Sequence, residues 1–318
     1  MKTLNVSISP HIRTTRTTQT VMLDVIIALS PTMIFGFVYF GWRALLVTAI
    51  SVASCVLTEF VYEKLMKLPV TVSDLSAVVT GLILALSLYS TAPWWIPVIG
   101  GVFAILIVKM LFGGIGQNFM NPALTARCFL VLAFSGIMTT YPGVGGVDAV
   151  SAATPLQLVR DGGYVSYAQM FVGNHPGSIG ETSAIAILVG MAYLLIRRVI
   201  TIKVPLSVVV STVAFVALFT AIKGEPITLN YLTVHVLGGG LLAAAVFMAT
   251  DYTTTPVTFW GQIIFGVCVG LFTAVIRCFG GMYEGISFAI ILANLLTPLI
   301  EKWTYPKPFG VRRGVKKQ

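Results

Sequence analysis

Ionisable side chains are scarce in this chain: Asp and Glu number 11, Lys and Arg 20 and His 3 among 318 residues. Charged residues make up 10% and hydrophobic ones 57%, against roughly 25% and 45–50% in a soluble domain. That imbalance excludes a soluble globular fold and points to an integral membrane protein. Histidine is too rare for hydrolytic constellations, and neither Gly-x-Ser-x-Gly nor His-Glu-x-x-His occurs. Phosphate-loop Gly-Lys-Ser spacing is absent as well. The four cysteines, Cys55, Cys128, Cys268 and Cys278, show no Cys-x-x-Cys spacing and fall in apolar runs, where packing accounts for them. No protein-only metal site and no catalytic side chain is implied; any redox chemistry must come from a bound cofactor.

What is abundant is apolar sequence in runs of about 17–25 residues, the length that crosses a bilayer. Ten such runs are placed near 22–40, 43–62, 74–91, 94–112, 123–140, 182–199, 204–222, 231–250, 259–278 and 285–302. Residues 1–20 are polar and rich in Thr and Arg, unlike a signal peptide, so the first run is read as a retained span.

Short basic loops stay cytoplasmic. With the N-terminus inside, sixteen of the twenty Lys and Arg residues fall on inner segments, leaving Arg43, Arg160, Lys223 and Arg277 outside. The net positive charge is therefore a topology signal, and a nucleic-acid partner, which needs a soluble basic face, is not expected. Both termini are then cytoplasmic, and the long loop 141–181 is extracytoplasmic, with Asp148, Asp161 and Glu181 against Arg160.

The runs divide five and five around that loop, and the halves echo each other. VVTGLILALSLYSTAP (78–93) resembles GGGLLAAAVFMATDYTTTP (238–256), and KMLFGG (109–114) resembles IRCFGG (276–281). Five spans per repeat imply inverted copies related by an axis in the membrane plane, with the working site between them. The expected fold is an all-α polytopic membrane protein of about ten transmembrane helices in two inverted five-helix repeats. The expected division is 1–140 for the N-terminal segment and first repeat, 141–181 for the loop, and 182–318 for the second repeat and basic tail. The Phe-Gly-Gly breaks fit interrupted helices that free carbonyls for a cavity or simple tight turns.

Candidate site residues follow from polar groups in apolar surroundings. In GGIGQNFMNPALTAR (113–127), Asn118 and Asn121 supply amides, Pro122 opens a helix, and Arg127 lies inside it. An arginine in lipid costs roughly 2.5–3.5 kcal/mol on insertion scales, so Arg127 faces a partner, cofactor or cavity, or else snorkels to the surface. The acids Asp24, Glu59, Asp74, Asp251 and Glu284 sit in or beside runs; Asp251 and Glu284 adjoin the breaks and fit a cation pathway or interfacial solvation. His235 reads as a hydrogen-bonded core residue. In DAVSAATPLQ (148–157), small Ala152 and Ala153 leave the Thr154 hydroxyl sterically open, Pro155 biases Thr154 towards extended backbone, and Asp148 and Ser151 add hydrogen-bonding capacity or a helix cap.

Five ordered motifs, SPHIR (9–13), FGGIGQNFMNPALTAR (112–127), DAVSAATPL (148–156), FMATD with TTP (247–256) and GGMYEGISFAIILAN (280–294), resemble one family. The chain is similar to the D subunit of the Rnf ion-translocating ferredoxin:NAD oxidoreductase and to the related B subunit of the sodium-translocating NADH:quinone reductase. The B subunits carry a longer N-terminal extension, so the 20-residue lead-in favours the Rnf family branch. The resemblance implies FMN attached as a phosphoester to Thr154 by a dedicated flavin transferase. Asp148, Ser151 and Ala153 match the family motif, and Ala152 stands where glycine is usual. Asn121 and Arg127 are the further cofactor-binding candidates. It also implies a component of a translocating oxidoreductase, inactive alone, in a prokaryotic cytoplasmic membrane. Its implied partners are other membrane and peripheral subunits, including a second flavin-carrying one, and membrane lipid. Electrons would pass through the FMN and couple to Na⁺ or H⁺ movement; the B-subunit relatives also hold a non-covalent riboflavin. The alternatives are a quinone-reducing relative and a small-solute channel of similar inverted-repeat architecture.

Overall fold

The computed structural model describes residues 16–140, 153–282 and 284–306, and among them the regular structure is helical throughout. Six helices are long and apolar enough to cross a membrane: α1 (Thr18–Phe40), α2 (Trp42–Leu65), α4 (Trp95–Phe112), α10 (Lys203–Lys223), α13 (Phe259–Phe279) and α14 (Ile286–Thr304). A bent pair, α11 (Leu229–Leu237) and α12 (Leu241–Met248), passes the same test jointly with a 50° break. Three other apolar helices are shorter: α3 (Ser76–Leu86), α5 (Pro122–Ala133) and α9 (Ala184–Ile196). Short helices α6 (Ser135–Met138), α7 (Pro155–Arg160) and α8 (Tyr167–Val172) complete the set. The ten expected runs thus each hold helix, but three of them hold one too short to span.

The shortening has a physical cause. After Leu86 the chain leaves the helix yet stays buried through Ser90. Its carbonyls are satisfied by a second non-helical stretch: Ile179 N donates to Leu88 O at 3.0 Å and Gly180 N to Leu86 O at 2.8 Å. Irregular backbone is stable at such depth only when buried in protein and hydrogen-bonded, and these bonds meet that condition. The run 123–140 likewise breaks at Phe134, whose φ of −129° and ψ of 47° end α5.

Close packing rests on small residues. Helix α10 packs along α13, α2 packs on α3 and α4, α1 on α9, and α5 on α14. A Cβ at Gly101 of α4 would collide with Ser54 Oγ of α2, and one at Gly270 of α13 with Ser211 Oγ of α10. The two contacts share a second feature: Ser54 Oγ lies 3.3 Å from Pro97 O and Ser211 Oγ 3.1 Å from Gly266 O, in each case four residues before the glycine.

Basic residues near helix ends are not all in loops. Lys109, Arg127 and Arg277 are 3–4% exposed, which removes them from the tally of loop charges used to orient the chain. Each has found protein partners, so none needs to reach the headgroups. Lys109 Nζ bonds both carboxylate oxygens of Glu59, at 2.8 and 2.7 Å, and Ser76 Oγ at 2.6 Å. Arg277 bonds the carbonyls of His235, Gly238 and Gly239 at the break between α11 and α12. Asp24 accepts from Tyr193 Oη at 2.9 Å and Arg197 Nε at 3.2 Å, and Asp74 from Ser76 N at 2.8 Å. Cys55, Cys128 and Cys278 are buried free thiols and Cys268 is half-buried.

Candidate functional site

Three cavities lie in series through the helices. The first, of about 110 Å³, is bounded by α1, α3, α9 and the residues around Asn118, Asn121 and Asp251. A second, of about 20 Å³, shares Ile83 and Phe247 with the first and is lined by Thr32, Arg127 and Glu181. The third, of about 230 Å³, shares Arg127 with the second and adds Tyr89, Gln157, Glu284, Ser287 and Phe288.

Arg127 is therefore the wall between the second and third cavities, and its place follows from local sequence. Asn121 caps α5: its Oδ1 accepts from Ala123 N at 3.1 Å and Leu124 N at 3.3 Å, with Pro122 at the first helical position. Arg127 sits in the second turn, where Nη2 meets Glu284 Oε2 at 2.6 Å and Nη1 meets Ser287 Oγ at 3.0 Å. Tyr89 Oη donates to the same Glu284 oxygen at 2.8 Å. The pair is a charge-assisted contact between α5 and the residues leading into α14. Snorkelling is thereby overturned: the guanidinium is held inside.

Thr154 adjoins the third cavity through α7. It caps that helix with φ −67° and ψ 157°, the extended backbone expected before proline, and its Oγ1 accepts from Gln157 N at 3.3 Å. Gln157 in turn lines the cavity. The hydroxyl is not sterically open as expected: Thr154 is 3% exposed, and the residues after it, Pro155 and Leu156, are buried as well, Leu156 in a cluster with Val165, Met170 and Val234. Asp148 and Ser151 lie outside the described residues.

The remaining candidates separate. Asn121 and Asp251 line the first cavity, on the far side of Arg127 from Thr154, and Asn121 Nδ2 contacts Met248 O at 3.3 Å. Asp251 accepts from Thr253 Oγ1 at 3.1 Å and Thr254 Oγ1 at 3.4 Å; burial pushes its carboxyl up and those hydroxyls pull it back. Glu284 belongs to the third cavity instead. His235 is buried as expected, but its Nδ1 has no hydrogen-bond partner among the described residues. Glu181, read from sequence as a loop charge, is 5% exposed and faces the second cavity. Its only advance signal was position, directly before the apolar run that becomes α9. Among the described residues no cluster of three His, Cys, Asp or Glu side chains could hold a metal ion.

Residues 5–310 match the sequence profile of the NQR2, RnfD, RnfE family. The chain belongs to that family. Among curated relatives of this family member, the D subunit of the Na⁺-translocating ferredoxin:NAD⁺ oxidoreductase complex of Acetobacterium woodii is 46% identical, covering 99% of this chain and 98% of the relative. The D subunit of the proton-translocating complex of Clostridium ljungdahlii is 38% identical over 97% and 96%. The D subunit of the ion-translocating oxidoreductase complex of Escherichia coli K12 is 34% identical over 96% and 98%. The family is thus one of subunits in multi-subunit, ion-translocating complexes, and this member's several apolar helices make it a multi-pass membrane protein.

Proposed function

We propose that this chain is the membrane flavoprotein component of a redox-driven ion pump that couples ferredoxin:NAD⁺ electron transfer to cation movement. The single observation that carries the reading is the juxtaposition of Thr154 and its helix with the Arg127–Glu284 cavity, in a chain 46% identical to a component of a complex so named.

The third cavity has the donor set a flavin requires. Arg127, Tyr89, Gln157 and Ser287 offer polar contacts for a ring edge, and Phe288, Met282 and Val131 offer apolar faces. FMN, joined by a phosphoester to Thr154 Oγ1, would supply one- and two-electron chemistry there. The chain's own part is to anchor, orient and set the local field. Thr154 is 3% exposed, so in this reading a flavin transferase acts before the α7 packing closes. Arg127, held by Glu284 and Ser287, places a fixed positive charge at the inner wall of the cavity.

The cation pathway in this reading runs along the three cavities, past Ile83 and Phe247 and then past Arg127. The matched contacts of Ser54 with Gly101 and Ser211 with Gly270 support two inverted five-helix halves, and so do the pairings of α1 with α9 and α5 with α14. The chain would sit in a prokaryotic cytoplasmic membrane, termini inside and the 141–181 loop outside. Other subunits, one carrying a second flavin, would exchange electrons with it. The test is flavin fluorescence in a denaturing gel: a fluorescent band in cells that have the transferase supports the reading, and its absence from the unsubstituted chain refutes it.

A further inference from the structure

The second cavity is not used by the electron-carrying part of that reading, and its polar groups are arranged unlike those of the other two. Residues 175–183 form a fully buried, non-helical segment. Near the end of the segment stands Glu181, whose Oε1 accepts from Ser178 N at 3.2 Å. Oε2 faces the cavity with no hydrogen-bond partner among the described residues, as does the hydroxyl of Thr32, which is 2% exposed. An unsatisfied buried carboxylate oxygen is costly, and two unsatisfied oxygens on one small cavity mark a place built for something else.

Glycines make the room. A Cβ at Gly240 would stand 2.8 Å from Glu181 Oε2, and one at Gly177 2.8 Å from Oε1; Gly240 also takes φ +67°. Ser87 lines the same cavity and donates its own proton inward to Leu84 O at 2.7 Å, so its oxygen turns lone pairs outward. A carboxylate, a free hydroxyl and an acceptor-only hydroxyl form a hard oxygen donor set. The volume, about 20 Å³, admits about one water-sized sphere. Only one negative charge is available, which suits a monovalent ion.

Two arginines limit how tightly such an ion is held. Arg127 borders the cavity, with its charge answered by Glu284 at 2.6 Å. Arg277 holds the Gly238 and Gly239 carbonyls at the α11–α12 break, next to Gly240, which lies against Glu181, so its guanidinium is a second cation acting on that carboxylate. Moderate affinity is what conduction requires, since an ion must leave as well as enter.

We propose that Glu181, with Thr32 and Ser87, forms a binding site for a single Na⁺ ion midway along the cavity series. The inference rests on the ion-pump reading and names where the pump's cation is held. The test uses the intact complex in proteoliposomes, measuring ²²Na⁺ uptake and the Na⁺ dependence of ferredoxin:NAD⁺ electron transfer, with the in-gel flavin band as a separate control. Glu181→Gln should abolish uptake or raise the half-saturating Na⁺ about tenfold or more, and Thr32→Val should raise it about threefold, with the flavin band kept in both. Should Glu181→Gln fail to assemble, Thr32→Val and Ser87→Ala decide the matter by the same readout. Unchanged half-saturation in the assembled variants, or a wild-type complex that pumps without any Na⁺ dependence, overturns the site while leaving the flavoprotein reading intact. Loss of the flavin band from wild type would instead refute that reading.

Discussion

Arg127 Nη2 lies 2.6 Å from Glu284 Oε2, and the pair ties α5 to the start of α14 at the wall between two cavities. Both side chains are nearly excluded from solvent, at 5% and 9%, so removing one strips the other of its opposite charge and leaves it neutral hydrogen-bond partners such as Ser287 for Arg127 and Tyr89 for Glu284. Glu284→Gln or Arg127→Met alone should destabilise the fold by about 3–5 kcal/mol, and the double variant by clearly less than the sum. Thermal unfolding of the purified protein in detergent, run as a double-mutant cycle, reads the coupling.

Gly270 of α13 meets Ser211 of α10 with no room for a side chain. Adding a methyl group at Gly270 forces it into Ser211 Oγ, and overpacking of this kind costs about 1–3 kcal/mol. Gly270→Ala should lower the unfolding temperature, and adding Ser211→Gly should recover most of the loss. The same pair of changes at Gly101 and Ser54 should behave alike.

Asn121 offers a cleaner local test. Its side chain caps two backbone amides of α5 and reaches Met248 O across the first cavity. Asn121→Ala should cost about 0.5–2 kcal/mol. Asn121→Asp, which keeps the cap but turns the donor towards Met248 O into an acceptor, should cost more than a cap-neutral change; comparing the two unfolding curves separates the contributions.

His175 gives the chain a defined response to acid. It is 4% exposed in the buried 175–183 segment, and burial pushes its pKa below the ordinary 6.5, against hydrogen bonds to the Pro176 and Thr182 backbone that raise it. A base whose folded pKa is depressed contributes stability that is present above its unfolded pKa and is lost as pH falls through it towards the folded value. The unfolding temperature of wild type should therefore fall on acidification below about pH 6.5. His175→Gln should fall less over the same interval, as followed by thermal unfolding across a pH series.

Much of this molecule was legible in the sequence, and the parts that were not share a cause. Apolar runs located every long helix because the bilayer sets their length. Pro122 announced the start of α5, and the stretch before Pro155 read as a helix start with Asp148 or Ser151 as its cap; the caps are Asn121 and Thr154. Hydropathy could not distinguish a full span from a half-helix followed by buried coil, as at residues 87–90, because both are equally apolar. What ends α3 at Leu86 is pairing with Ile179 and Gly180, more than ninety residues away. The same long-range contact buries Glu181, which local composition placed in a loop. Lys109 and Arg277, inside the runs 94–112 and 259–278, were counted as charges facing the membrane surfaces for a related reason: their partners, Glu59 and the His235, Gly238 and Gly239 carbonyls, are remote in sequence.

Covalent FMN on Thr154, beside the Arg127–Glu284 cavity, is the proposal on which the electron-carrying role of this chain depends. Its most direct test is the intact mass of the chain purified from cells that contain the flavin transferase, followed by peptide mapping. The expected result is an increment of one FMN less one water, located on the peptide containing Thr154 and absent from Thr154→Ala. An unmodified mass, or the same increment on another residue, would contradict it.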